Sequence, residues 1–321
     1  MSPILELSAP HRSENGTPAW QRPAGLRRGP TKFAQLTAPR PPARSFSEVA
    51  DFGDLRIQQQ EFGHGLHLRT KDAPSKILVG LIENRSASVA QRGNAWTPQE
   101  IALVRRGGLD LYTLGPSAFI WIEAESALLG DALEDSSLST ESAAVVQASP
   151  AALDALRGVC VRALQPRDGR NRRAGTDWST RQEVLRAAAR ALRFGGERAV
   201  EPTALERYLF AKRVEDFMWR NLDEPMALPK IADAMSCSVR RLIYCFNRVY
   251  GLGPIGYFKI QRLNAVCEEL ASAPDRRTIL DVAADYGFWH LGHFGADYKA
   301  LFGLTPSQTR RQGLRLASLL P

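Results

Sequence analysis

Cysteine is scarce in this chain of 321 residues, and the four present, Cys160, Cys237, Cys245 and Cys267, form no CxxC pair. That spacing argues against a disulfide framework. Three of the four, Cys237, Cys245 and Cys267, fall in stretches of helical period in the last third of the chain, where a free thiol behaves as a small buried hydrophobe. A reduced, cytoplasmic setting fits. No apolar run approaches the roughly 20 residues needed to cross a bilayer, so no membrane partner is expected. A phosphate loop, a nucleophile elbow and an acid pair with usable spacing are all missing, which points away from an enzyme. Nothing in the sequence requires a metal or any other cofactor. Acidic residues number 34 against 42 basic ones, leaving a formal charge of +8. The excess favours an anionic partner, though charge alone does not separate DNA from RNA or an acidic membrane surface.

The length exceeds what one core usually occupies, so two domains with linkers are expected. Residues 1–44 hold eight prolines, many arginines and few large apolar side chains. Such a composition buries too little surface to offset chain ordering, and it predicts a disordered Pro/Arg-rich arm. From 45 to 149 the pattern changes to short runs rich in Val, Ile, Leu and aromatics. Gln60 to Arg69, Lys76 to Ile82, Ala87 to Val89, Glu100 to Val104, Leu109 to Tyr112 and Ala118 to Ile122 read as strands of a sandwich or small barrel. Within it His64 and His67 are too few for a metal site and read as a turn with two polar side chains. Phe62, Trp96, Tyr112, Phe119 and Trp121 are either core or the lining of a small effector cavity. Between 150 and 202 the period is helical, with Leu153, Leu156, Cys160 and Leu164 on one face and Val184, Leu185, Ala188 and Leu192 on another. These helices either brace the sheet or pair two protomers into a homodimer. The basic loop Arg167 to Arg173 between them reads as a solvated turn.

The last third, 203–318, contains a repeat. Val282, Ala283 and Tyr286 share one face of a short helix, Gly287 breaks it, and Leu291, Phe294, Tyr298 and Leu301 form the seam of a second. Ile231, Ala232 and Met235 match the first helix at an offset of 51, and Val239, Leu242, Phe246 and Val249 match the second at 52. One residue has therefore been added to the later turn. Tyr250-Gly251-Leu252-Gly253-Pro254 reads against Phe302-Gly303-Leu304-Thr305-Pro306 at 52 as well. Two short helices joined by about three residues, the second with a polar outer face, is the layout of a helix-turn-helix. A long helix through Ile255, Phe258, Leu263, Val266 and Leu270 connects the copies.

These residues, above all Val282 to Phe288 and Phe302 to Pro306, resemble the DNA-binding domain of AraC/XylS-type transcription regulators over about Leu205 to Gln312. The resemblance implies an α+β multidomain chain. It would have an all-α carboxy-terminal domain of two homeodomain-like helix-turn-helix units and an amino-terminal β-rich, cupin-like sensor domain. It also implies double-stranded promoter DNA and RNA polymerase as partners, with an unidentified small-molecule effector. Removing the seam residues leaves Arg240, Arg241, Tyr244, Asn247 and Arg248 on the outer face of the first unit. Guanidinium groups can bond guanine O6 and N7 in pairs, and the same charge serves phosphates. In the second unit the matching positions are Gly292, His293, Ala296 and Ala300, with His290 and Lys299 nearby, a face poorer in long polar side chains. Relatives with a very similar motif commonly have arginine where His293 stands, a departure that bears on how strongly this unit reads bases. A β-domain enzyme tethered to DNA and a ligand-independent architectural DNA-binding protein are the rival readings.

Overall fold

The computed structural model describes residues 33–38, 46–69, 75–83, 89–105, 108–130, 144–165, 178–197, 202–221, 226–272 and 277–317. The basic loop at 167–173 and most of the amino-terminal arm lie outside the described residues. Two antiparallel sheets form the first half. The smaller runs β1 (Phe33–Gln35), β4 (Leu66–Arg69), β9 (Asp110–Thr113), β6 (Val89–Gln91) and β7 (Asn94–Trp96). The larger runs β12 (Gly196–Glu197), β11 (Ala144–Gln147), β8 (Glu100–Val104), β5 (Lys76–Ile82), β10 (Ser117–Glu125), β3 (Leu55–Phe62) and β2 (Phe46–Asp51).

Phe33–Gln35 corrects the expectation of a disordered arm through residue 44. The Phe33-Ala34-Gln35-Leu36 stretch lies in the gap between Pro30 and Pro39, and three of its four residues are apolar. Its backbone completes a ladder, Phe33 opposite Leu68 and Gln35 opposite Leu66. Composition averaged over the whole arm hid a short segment that finds partners far along the chain.

Burial explains why the central strands of the larger sheet, β5, β8 and β10, are mostly apolar. One face, with Leu78, Ile82, Ala102, Phe119 and Trp121, packs on Leu66, Leu68 and Leu111 of the smaller sheet. The other, with Ile57, Val79, Leu81, Ile101 and Ile120, packs on helices α1 (Pro150–Leu164) and α2 (Trp178–Arg193). Leu153, Leu156, Cys160, Val184, Ala188 and Leu192 supply that contact, so these helices brace the sheet. A sheet covered on both faces loses the polar alternation of a half-exposed one. Trp96, Phe119 and Trp121 pack on one another, with ring centroids 5.5 to 5.9 Å apart. Gly80 is required beside them, because a Cβ there would strike the rings of Trp121 and Trp96.

The second half is helical: α3 (Pro202–Arg220), α4 (Leu228–Ala234), α5 (Val239–Tyr250), α6 (Pro254–Ser272), α7 (Ile279–Asp285), α8 (Leu291–Phe302) and α9 (Pro306–Ala317). Two cores divide it at α6. Val214, Met218, Ile231, Leu242, Phe246, Val249 and Phe258 form the first, and Leu263, Val266, Val282, Phe294, Tyr298 and Leu301 the second. Among the described residues no helix is long and apolar enough to cross a membrane.

Candidate nucleic-acid interface

Each copy of the repeat closes in the same way. After α4 the Cys237 amide donates to the Ala232 carbonyl at 2.9 Å, and after α7 the Phe288 amide donates to the Ala283 carbonyl at 3.0 Å. The turn needs a left-handed residue just before that donor. Gly287 supplies it at φ 72°, while Ser236 supplies it in the first copy at φ 50°, a conformation that disfavours side chains. The amino-terminal caps of the second helices are Ser238 and His290, and their carboxy-terminal caps are Gly251 and Gly303, both left-handed. Counting from Phe288 to the His290 cap, against Cys237 to the Ser238 cap, identifies Trp289 as the residue added to the second turn. It is 66% exposed. A hydrophobic residue before a helix start often staples onto the first turn. Phe288 already fills that role against Phe294 at 5.1 Å, so Trp289 is left on the surface.

The outer faces agree with the helical spacing. Arg240, Arg241, Tyr244, Asn247 and Arg248 are all exposed on α5, and His293, Ala296 and Lys299 are exposed on α8 with His290 at its cap. Ser238 fixes the start of α5 by accepting from the Arg241 amide at 3.2 Å. The Arg248 guanidinium lies 5.7 Å from the Tyr244 ring, and that of Arg241 lies 5.6 Å from Phe210 on α3. Such stacking limits the rotamers of both side chains while leaving their N–H groups able to donate.

The second unit is fastened to α6. Lys259 pairs with Asp297 at 3.0 Å. The Arg262 guanidinium lies 4.9 Å from the rings of both Phe258 and Phe288, and it donates to the Tyr286 and Gly287 carbonyls. Tyr286 donates to Glu269 at 2.9 Å, and Arg277 pairs with the same carboxylate.

A buried polar cluster joins the two halves, and it corrects the reading of His67 as a turn residue. His67 and Arg69 alternate with Leu66 and Leu68 along β4, so the leucines face the other sheet and the polar pair faces the helices. Tyr112 and Asp110 stand opposite them on β9. His67 Nε2 lies 2.8 Å from Asp110 Oδ1, and its Nδ1 lies 2.9 Å from the Tyr257 hydroxyl. The Arg69 guanidinium grips Glu215 of α3 with two hydrogen bonds and also reaches Asp110. Tyr208 donates to Asp110 at 2.9 Å. Tyr112 turns away from the other aromatics of the β half and meets Tyr250 at 5.7 Å. Sequence reasoning missed this cluster because its members come from several elements far apart in the chain. The period-2 pattern of Leu66-His67-Leu68-Arg69 was the available signal.

Burial and the neighbouring Arg69 hold the pKa of His67 below its ordinary value, against the pull of Asp110 and Glu215. Burial opposes ionisation of Asp110, but His67, Arg69 and Lys212 outweigh it and hold the carboxyl well below its usual range. Glu215 likewise falls to about 2, burial being overcome chiefly by Arg69. All three shifts have the same sign for stability. The unfolded chain takes up protons on histidine below about pH 6.5 and on carboxylates below about pH 4, where the folded chain resists them. Stability that is full at pH 8 should therefore begin to fall below about pH 6.5 and drop further under about pH 4. Urea midpoints at about pH 8, 6 and 5 for the natural chain and for His67→Gln check this; parallel profiles would count against the assignment to His67.

A family model described as a helix-turn-helix domain matches residues 231–312. The XylDLEGF operon transcriptional activator of Pseudomonas putida is 34% identical over 116 residues, covering 34% of this chain and 36% of that protein. A probable thc operon regulatory protein of Rhodococcus erythropolis is 30% identical over 97 residues, covering 30% and 29%. These matches span about a third of the relatives' own length. Among solved structures, a probable AraC family transcriptional regulator from Rhodopseudomonas palustris aligns over 33% of this chain and 97% of its own, at 28% identity and a TM-score of 0.31. ToxT from Vibrio cholerae aligns over 88% and 96%, at 10% identity and a TM-score of 0.32.

Proposed function

We infer that this chain, which belongs to the AraC/XylS-type regulators through its helix-turn-helix domain at residues 231–312, is a sequence-specific DNA-binding transcription regulator acting as an activator at promoters. The observation that carries the reading is the pair of second helices, closed alike and each with its polar face in solvent. An α-helix fits the major groove, and residues near its start reach base edges. On α5, Arg240, Arg241 and Tyr244 take the base-reading positions, while Asn247 and Arg248 lie further along toward the phosphates. On α8, His293 offers one bond, Ala296 can pack on a thymine methyl and Lys299 meets the backbone. His290 and the added Trp289 stand at the entry of that helix. The first unit therefore supplies most of the specificity.

The β-rich half acts as a cupin-like sensor for a small-molecule effector, and the activator contacts RNA polymerase from the helical half. The names of the relatives support the activator role. Val161 of α1, Trp178 of α2 and Phe194 just after it are exposed, which supports pairing of two protomers in the cytoplasm. An effector shifts the regulator between states only if it binds them unequally, and the buried cluster around Arg69 and Glu215 is the contact through which the halves would communicate.

Selection of bound duplexes from a random pool by the full chain tests the reading. The expected product is two short elements on one face of the duplex, about one helical turn apart, with the element under α5 the better defined. Recovery of unenriched sequence would overturn it.

A further inference from the structure

The C-terminal ends of both reading helices rest on the β half, and they rest on the same sheet. At α5, the cap Gly251 lies so close to β9 and the residue after it that a Cβ would strike Leu114 Cδ1 and crowd the Tyr112 hydroxyl. At α8, the side-chain amide of Gln35 in β1 donates to the Leu301 carbonyl at 2.6 Å. Leu301 is in the last turn, where helix carbonyls have no partner within the helix. Between the two, the Gln35 amide donates to Asn264 Oδ1 and Asn264 Nδ2 donates back to the Gln35 carbonyl, both at 2.8 Å. Asn264 is in α6, the helix that connects the units. The next residue after Gln35, Leu36, is buried in the core of the first unit with Val214, Phe246 and Tyr250.

We propose that the β1–β4–β9 edge is a splint that sets the separation and rotation of the two reading heads, with Gln35 as its positioning residue. The proposal rests on the DNA-reading function argued above. Two heads joined by one helix can still swing at the junction between α6 and α7. Gln35 closes a second path between them, since one residue is bonded to both the connector and the far end of α8. A loop of rigid elements closed in this way holds its geometry better than an open chain of the same elements. The selected DNA should then tolerate little change in the distance between its two elements. A neutral amide suits this position, since Gln35 Nε2 meets a carbonyl and a carboxylate placed there would be repelled.

The test uses the full chain and the duplex selected from the random pool, with none, one, two or three base pairs inserted between the two elements. The natural chain should lose about 10-fold or more in affinity on the first insertion, the cost of misplacing one head's base contacts. Gln35→Ala and Asn264→Ala should stay within about 3-fold on the parent duplex, since neither belongs to the α5 or α8 faces assigned to DNA contact. Each should also reduce the insertion penalty several-fold. Variants whose penalties equal that of the natural chain would overturn the splint while leaving the regulator reading intact. If the natural chain does not distinguish the selected duplex from a scrambled one, the DNA-reading assignment fails, and the splint with it.

Discussion

Glu215→Ala should lower the free energy of unfolding by about 3 to 5 kcal/mol, the usual cost of removing one partner from a buried ion pair. Glu215 is fully buried on α3, accepts two hydrogen bonds from Arg69 of β4, and accepts another from the Tyr257 hydroxyl at 3.0 Å. Among the described residues, alanine leaves the guanidinium with Asp110 as its remaining acidic partner, and it takes from the Tyr257 hydroxyl its carboxylate acceptor. The loss thus comes less from a missing attraction than from a charge left in a low-dielectric interior. A second variant separates the two causes. Arg69→Met combined with Glu215→Leu removes both charges and fills the space, so it should recover part of what Glu215→Ala loses. Urea unfolding of the three chains decides the matter: a loss under about 1 kcal/mol for Glu215→Ala would place the pair among weak surface contacts.

Arg240→Ala and Arg241→Ala should each weaken binding to the selected duplex by about 1 to 3 kcal/mol and relax the preference at one base pair. Bidentate contact with guanine has this worth because the wrong base leaves the guanidinium donors unpaired. Arg240 gives the cleaner result, since alanine at 241 also removes the stacking on Phe210. Arg248→Ala should behave differently. It stands later on α5 beside Tyr244, where contact with phosphate carries no base preference. Its loss should weaken selected and scrambled duplexes alike and flatten the dependence on salt. Titrations on both duplexes at two salt concentrations distinguish the classes. Equal losses on the two duplexes for Arg240→Ala would reject its base-reading role.

The two kinds of residue behind these predictions differ in how visible they are before folding. Arg240, Arg241, Tyr244, Asn247 and Arg248 could be placed on one outer face from spacing alone, because helical period and a seam of Leu242, Phe246 and Val249 leave no other side for them. His293, Ala296 and Lys299 follow from the repeat, 52 residues beyond Arg241, Tyr244 and Asn247, while His290 stands at the cap of α8. The strands Lys76–Ile82 and Glu100–Val104 were legible as apolar runs between breakers. The strands Phe46–Asp51 and Ala144–Gln147 were not, the first being mixed in composition and the second short. Trp289 could be counted as an extra residue somewhere in the second turn, but only the matching Cys237 and Phe288 hydrogen bonds show which residue it is.

Local periodicity, capping and turn residues act over a few positions, so the sequence by itself determined the two helix-turn-helix units, the helix between them and the faces they present. The contacts of Gln35 with Leu301, and of Arg69 with Glu215, cross 266 and 146 residues. A hydrogen bond or ion pair of that span depends on where two separately formed elements come to rest, and no local pattern encodes it. Tertiary structure alone therefore decided that the amino-terminal strand belongs to the fold, that His67 is buried, and that one sheet holds the ends of both α5 and α8.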